Sequence, residues 1–192
     1  MTPLDPLACA LFLLAAFTLA GVAQTAWFAA PMSRAFAVPL DGGLRVRGRR
    51  LFGDNKTTRG FVVMVPATAG AFALLAALAG DRMAVGLWDL PTPMYAFLGA
   101  WAAVGFMAGE LPNSFIKRQL DISPGEAPRS FTWTAVQFVG DRLDSGLGML
   151  AAISLVVPTS PGTWGYVLLI GPAIHWSFSF ALFRLGLKRR AA

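Results

Sequence analysis

The chain has 192 residues, of which 56% are hydrophobic and only 14% are charged, and its mean hydropathy is +0.59. Soluble domains carry about 25% charged residues, so this composition excludes an ordinary soluble domain and indicates an integral membrane protein. The formal net charge is +6. The positive residues lie between apolar runs, so membrane topology and lipid phosphate explain them better than nucleic acid does. The single cysteine, Cys9, excludes an internal disulfide.

Five apolar runs are long enough to cross a bilayer, which takes about 20 residues per helix. The first run is too long for the core of a signal peptide, so we expect a retained helix. The predicted spans are 4–30, 61–80, 93–112, 132–157 and 163–187. Because no linker or repeat separates them, the sequence predicts an all-α, polytopic membrane bundle of about five helices that forms one domain, residues 1–192.

Lys and Arg residues alternate between rich and poor loops along the chain. The predicted loop 31–60 holds seven and the loop 113–131 holds three, whereas the loop 81–92 holds one and the loop 158–162 none. Positive charge concentrates on the cytoplasmic side of a membrane. The pattern therefore predicts an N-terminus outside, a C-terminus in the cytoplasm, and polar loops that face the cytoplasm from the inner membrane.

The first polar loop, LFGDNKTTRGF, places a dense polar segment just before the second span. Helix N-termini attract anions through free N–H groups and the helix dipole, and basic side chains add charge to a phosphate site. The alternative is a positively charged loop with a helix cap and no ligand. The candidate substrate-binding residues are Asp54, Asn55, Lys56, Thr57 and Arg59.

The second polar segment, GELPNSFIKRQL, begins inside the third span. Pro112 is expected to bend or end the helix. If the helix continues, one face of it carries four polar residues: Glu110, Asn113, Ser114 and Lys117. The alternative is a pair of snorkelling basic residues, Lys117 and Arg118, with one buried Glu paired to Arg.

The fourth span contains Asp141, Arg142 and Asp144 within an otherwise apolar run. A charge at the centre of a membrane helix costs about 2.5–3.5 kcal/mol on insertion scales. The two carboxylates are three residues apart and project from one helix face. Such a pair suits Mg²⁺, which takes one or two carboxylates together with substrate phosphates. An interhelical ion pair that includes Arg142 is the alternative.

Three blocks in fixed order, LFGDNKTTRGF, GELPNSFIKRQLDISPG and DRLDSGLG, resemble the CDP-archaeol synthase family, which is related to the phosphatidate cytidylyltransferases. The resemblance runs from about Leu51 to Gly148. The bacterial diglyceride enzymes carry an additional Lys-Asp pair and a His-Gly-Gly element before D-R-x-D. This chain has neither, which brings it closer to the archaeal type.

The resemblance implies Mg²⁺-dependent transfer of CMP from CTP to a lipid phosphate, either phosphatidic acid or an ether-lipid phosphate, within a membrane of lipids. It assigns Mg²⁺ to Asp141 and Asp144, completed by Glu110 or Asp54. Lys117 and Arg118 would hold the lipid phosphate or the leaving pyrophosphate. The remaining candidates would bind substrate: Asn55, Lys56 and Arg59 the nucleotide, Thr57 and Ser114 its phosphates, and Arg142 a substrate group. A homodimer is a further expectation.

Three other interpretations of the sequence are alternatives to a cytidylyltransferase. A transporter or lipid-binding protein would use the charged residues of the membrane as a path for ions or headgroups, without turnover. A CDP-alcohol phosphotransferase would require a longer Asp-rich motif, which the sequence does not contain. An inactive family member is opposed by the intact Lys117, Arg118, Asp141 and Asp144.

Overall fold

The computed structural model describes residues 3–83, 86–123 and 131–186, with the backbone alone at 81–83, 131–136 and 138. Five long helices account for most of these residues. They are α1 (Pro6–Ala29), α2 (Thr58–Met83, broken at Gly80), α3 (Thr92–Gln119), α4 (Phe131–Ser154) and α5 (Pro161–Arg184). A short 3-10 helix (Pro31–Phe36) and two antiparallel strands, β1 (Arg45–Val46) and β2 (Arg49–Arg50), lie between α1 and α2. The prediction of a helical membrane bundle is confirmed.

The helix ends agree with the predicted spans to within a few residues, except at the end of α3. The helix was expected to reach 112 and instead continues to Gln119, with Pro112 inside it. A proline inside a helix removes one backbone hydrogen bond and crowds the preceding turn, at a cost of about 3 kcal/mol. The side chains of Asn113 and Lys117 contact α4 in the added turns, and these contacts stabilise the extension.

Four of the five helices are long and apolar enough to cross a membrane, within the part of the chain that the structure describes. These are α1, α2 as far as Gly80, α3 and α5. Helix α4 has 24 residues but is not among them, and it carries three charged residues, Asp141, Arg142 and Asp144. The orientation of the bundle stays a prediction, and Arg129 and the basic tail 188–190, on which it partly depends, lie outside the described residues.

An aromatic core joins α1, α2 and α3. Phe12 of α1 packs edge-on against Phe72 of α2, with ring centroids 5.0 Å apart, and lies 5.3 Å from the ring of Tyr95 in α3. The Tyr95 hydroxyl donates to the carbonyl of Trp88 at 2.6 Å, so its polar atom is satisfied. This core lies towards the end of the bundle where α1 begins, far from the polar loops.

Glycines allow α3 and α4 to approach backbone to backbone. A Cβ added to Gly109 would lie 2.4 Å from the carbonyl oxygen of Asp144, and one added to Gly148 would lie 2.3 Å from the carbonyl oxygen of Gly105. Small residues at such spacing permit close packing of membrane helices. The approach brings the polar face of α4 directly against the polar face of α3.

The segment 39–57, which we call the hairpin, closes over one end of α3. Pro39 pairs with Thr57 at its base, and Arg45 pairs with Arg50 near its tip. Arg49 bonds to the carbonyl of Gln119 and to the carboxylate of Asp121, immediately after α3. The hairpin therefore places the predicted polar loop at the end of α3.

We predict that Gly148→Ala lowers the free energy of unfolding by about 1–3 kcal/mol, because its Cβ would overlap backbone atoms of α3. Gly70→Ala is the matched control. Its Cβ has no neighbour within 4 Å in the described structure, so this helical substitution should be neutral or slightly stabilising. Thermal unfolding midpoints in detergent measure both effects. Equal midpoints for the two variants would contradict the close approach.

Candidate active site

Charged and polar side chains from three parts of the chain meet between the hairpin, α3 and α4. We call this group the charged cluster. It consists of Lys56, Glu110, Asn113, Lys117, Asp141, Asp144 and Ser145. Each element contributes at least one member, so the cluster exists only in the folded bundle.

Lys56 joins the hairpin to the cluster. Its ammonium group binds the carboxylate of Glu110, and both side chains are about four-fifths buried, with exposures of 20% and 22%. Burial lowers the pKa of Lys56, but the charge and the hydrogen bond of Glu110, together with the charges of Asp144 and Asp141, raise it above its ordinary value. The second oxygen of Glu110 accepts from the Ser145 hydroxyl at 2.9 Å, which carries the connection to α4.

Asn113 connects the two aspartates of α4. Its side-chain nitrogen donates to Asp141 at 2.6 Å and to Asp144 at 2.9 Å. Lys117, one turn later on α3, binds the same oxygen of Asp141. The helical spacing of α3 therefore matches the spacing of the carboxylates on α4, and the two aspartates lie side by side.

The aspartate pair has the chemistry of a magnesium site. Its oxygens are hard anionic donors that face the same amide group, and Mg²⁺ takes one or two carboxylates with substrate phosphates. Glu110, the third predicted ligand, binds Lys56 and Ser145 instead. Among the described residues, no group of three or more His, Cys, Asp or Glu side chains is placed to hold a metal ion. The residues present thus fit a metal shared between two carboxylates and substrate.

A buried carboxylate, Asp41, holds the hairpin in shape. It accepts hydrogen bonds from the backbone N–H groups of Gly43, Phe52 and Gly53 at 3.0–3.1 Å, and from the guanidinium group of Arg50 at 2.6 Å. The Arg50 guanidinium and these N–H groups hold the pKa of Asp41 well below its usual range, against the effect of burial. Asp41 thereby fixes the turn that leads to Lys56.

Gly53 brings the hairpin into contact with Arg118. Its backbone has φ of +91°, a conformation that favours glycine, and a Cβ there would lie 3.3 Å from Cδ of Arg118. The Arg118 side chain is buried at the end of α3 beneath this turn. This contact explains why a glycine stands at the start of the G-D-N-K-T motif.

The other predicted residues have separate positions. Asp54 is exposed and pairs with Arg50 at 2.6 Å. Arg59 faces the 3-10 helix, where it binds the Ser33 hydroxyl and the Phe28 carbonyl, so the structure does not bring it to the cluster. The remaining four are distributed around the cluster: Asn55 follows the Gly53 turn, Thr57 pairs with Pro39, Ser114 is buried on α3, and Arg142 lines a cavity beside α4.

From the sequence, Asp41, Asn113 and Ser145 receive no role in the site, although Asn113 is placed on the predicted polar face of the third span. Asn113 carries a signal in the sequence, because it shares a helix face with Glu110 and Lys117 once α3 continues beyond Pro112. Ser145 directly follows Asp144, so the sequence already places it next to a predicted metal ligand. Asp41 has no comparable signal, because its partners come from positions up to twelve residues away in an irregular loop.

Comparison with known proteins identifies the family. Residues 11–191 match the family model described as CarS-like CDP-archaeol synthase. The chain belongs to the CDP-archaeol synthase family. The match covers the charged cluster, the hairpin and nearly all of the five helices, and it confirms the resemblance based on the three sequence blocks.

Individual relatives agree with this assignment. The chain is 35% identical over 162 residues to the CDP-archaeol synthase of Halobacterium salinarum, covering 78% of this chain and 81% of the relative. It is 29% identical over 157 residues to the CDP-archaeol synthase of Thermococcus kodakarensis, covering 78% and 80%. A solved structure of an intramembrane enzyme for archaeal membrane lipid biosynthesis is also similar. It matches with a TM-score of 0.59 at 26% identity, over 84% of this chain and 89% of that one.

The predicted activity is confirmed at the level of the reaction. The chain is a multi-pass membrane enzyme, a CTP-using cytidylyltransferase that makes a CDP-lipid in membrane lipid biosynthesis. A transporter or a binding protein without turnover is not favoured by these matches. CTP and a lipid phosphate are therefore its substrates.

We predict that Asp41→Asn lowers the free energy of unfolding by about 1–2 kcal/mol at neutral pH, because an amide loses the charge-assisted bonds. Asp54→Asn is the control, since this exposed carboxylate makes one surface pair worth well under about 1 kcal/mol.

The effect of Asp41 should also depend on pH. Because folding lowers the pKa of Asp41, its ionised carboxylate stabilises the folded state at pH values above its ordinary pKa of 3.8. This contribution to the free energy of unfolding is lost as the pH falls from there through the lower pKa of the folded state. The difference in unfolding midpoint between wild type and Asp41→Asn should therefore be constant from pH 7 to about pH 5 and shrink below about pH 4. A difference that grows on acidification would contradict this role.

Proposed function

We propose that the charged cluster catalyses the Mg²⁺-dependent transfer of CMP from CTP to a lipid phosphate, with an ether-lipid phosphate as acceptor. The observation that supports this most strongly is the juxtaposition of Asp141 and Asp144 with Lys117 and Lys56 across three elements. Carboxylates for a metal and ammonium groups for phosphate lie within one site, as phosphoryl transfer requires.

The reaction needs little beyond positioning and charge neutralisation. An oxygen of the lipid phosphate forms a bond to the α-phosphorus of CTP, the bond from that phosphorus to the bridging oxygen breaks, and pyrophosphate leaves with the electron pair. A phosphate dianion is already a nucleophile, so no general base is required. Catalysis of this type depends on orientation and on electrostatic stabilisation of the phosphates.

The residues of the site would have different roles according to the element on which they lie. Lys56 stands at the foot of the hairpin, where it would bind the nucleotide phosphates while the turn from Gly53 to Thr57 surrounds the nucleotide. Lys117 and Arg118 at the end of α3 would bind the lipid phosphate or the pyrophosphate. Asn113 and Ser145 hold the carboxylates in their orientation.

Magnesium would be held by Asp141 and Asp144 together with substrate oxygens, because Glu110, the third predicted ligand, binds Lys56 and Ser145 in this structure. When bound, it would neutralise phosphate charge and align the phosphate oxygens. Lys117 and Asn113 donate hydrogen bonds to the aspartates in this structure, which offsets the repulsion between two adjacent, partly buried carboxylates.

The names of the relatives, which specify CDP-archaeol, support an ether-lipid phosphate as the acceptor. Phosphatidic acid is the alternative acceptor. We further propose that the charged cluster faces the cytoplasm from the inner membrane, as the positive-inside pattern indicates. In that orientation the cluster meets cytosolic CTP, and the lipid reaches it from the bilayer. A homodimer stays a prediction.

Incorporation of CMP from labelled CTP into lipid by the purified protein tests this proposal. We expect labelled CDP-lipid with archaeol-type ether-lipid phosphate, less with phosphatidic acid, and none after chelation with EDTA. Asp144→Asn should reduce turnover about 100-fold or more. Asp121→Asn, which removes an exposed carboxylate beyond α3, should stay within about twofold of wild type.

Three outcomes would contradict the proposal. Wild-type turnover by folded Asp144→Asn would show that Asp144 does not hold the metal. Product formation that persists in EDTA would show that the reaction does not require magnesium. A clear preference for phosphatidic acid would overturn the proposed acceptor. Matched unfolding midpoints of the variants establish that the comparison concerns chemistry and not folding.

A further inference from the structure

A cavity of about 120 Å³ lies between α1, α4 and α5, beside the charged cluster. Its wall is mostly apolar. One end, however, is polar, and that end contains two members of the cluster, Glu110 and Ser145. An engineered apolar cavity of about 150 Å³ holds a benzene molecule, so this one has room for a short stretch of hydrocarbon.

The polar residues of the cavity all lie at the same end of the bundle. Gln24 is near the end of α1, Arg142 is beside Ser145 on α4, and His175 is in the second half of α5. From Gln24 the cavity follows α1 as far as Leu13, which corresponds to about 16 Å along the helix. The cavity is thus elongated, with a polar end at the cluster and an apolar end deep in the bundle.

This arrangement matches a lipid phosphate that has its headgroup at the cluster. The phosphate must lie near the cluster, and the first carbon atoms of its chains must leave the polar region nearby. The cavity shares Glu110 and Ser145 with the cluster, so it adjoins the reaction site. Arg142 and His175 at its polar end complement an anionic headgroup in charge and in hydrogen-bonding capacity.

We propose that the α1–α4–α5 cavity binds one hydrocarbon chain of the lipid phosphate, and that Leu168 on α5 limits how far the chain enters. This proposal rests on the proposed function. Leu168 lines the cavity and packs against the core, whereas Leu169 next to it is 78% exposed on the outer surface. Substitutions at these two positions therefore distinguish an effect on the cavity from a general effect on helix α5.

The first test compares Leu168→Trp with Leu169→Trp. The acceptors are dibutyl and diphytanyl forms of a glycerol ether phosphate, so that the two differ in how far their chains can extend into the cavity. We expect Leu168→Trp to raise KM for the diphytanyl acceptor about tenfold, with KM for the dibutyl acceptor and for CTP within about twofold of wild type. Leu169→Trp should match wild type with both acceptors.

Gly171→Ala is a second, milder variant in case Leu168→Trp does not fold. A Cβ at Gly171 would lie 3.9 Å from Cδ2 of Leu14, an ordinary contact, so it reduces the cavity without a clash. It should shift KM in the same direction by a smaller factor. Equal changes in KM for both acceptors, or no change in a folded Leu168→Trp, would overturn the chain assignment.

Binding without turnover separates this proposal from the proposed function. A diphytanyl-type phosphate with a photoactivatable diazirine in one chain is added without CTP, and labelled residues are mapped by mass spectrometry. We expect labels at Met149 and Leu168 that are lost in Leu168→Trp and kept in Leu169→Trp. Labels confined to lipid-facing positions such as Leu155, which is 80% exposed, would overturn the cavity assignment. Cavity labels in a protein that transfers no CMP would refute the proposed function alone.

Discussion

A buried positive charge in an apolar bundle must meet a negative charge, and the contact between Lys56 and Glu110 is the interaction on which the site depends. It joins the hairpin to α3, and Ser145 extends the connection to α4. Removing either partner would leave an uncompensated charge in a region of low dielectric, which is strongly destabilising. The charges that a substrate phosphate and a metal require are thus stabilised by one another before any ligand binds.

Close packing makes this pairing geometrically feasible. Gly105 and Gly109 on α3 meet Gly148 on α4 with no room for a side chain, so the polar faces of both helices lie within hydrogen-bonding distance of each other. The same approach lets Asn113 reach both aspartates. The cavity begins at Glu110 and Ser145 and continues between α1 and α5. The proposed position of the lipid chain is therefore beside the nucleotide chemistry.

The sequence predicted the helices and the charged residues better than it predicted their partners. Apolar length alone located five helices, since each needs a long hydrophobic run, and the cost of intramembrane charge drew attention to Glu110, Asp141 and Asp144. The extent of α3 was not predictable from Pro112, because contacts with α4 determine whether the helix continues. The role of Asp41 depends on an irregular loop whose shape no local pattern encodes, and the cavity depends on how three distant helices pack.

The hairpin, α3 and α4 form one site whose charges neutralise each other. A double-mutant cycle with Lys56→Met and Glu110→Leu tests it most directly, with the thermal unfolding midpoint in detergent as the readout. We expect each single variant to be clearly destabilised and the double variant to recover most of the loss, because it buries no unpaired charge. Losses that simply add in the double variant would show that the two residues do not interact and that the site is not held together by this pair.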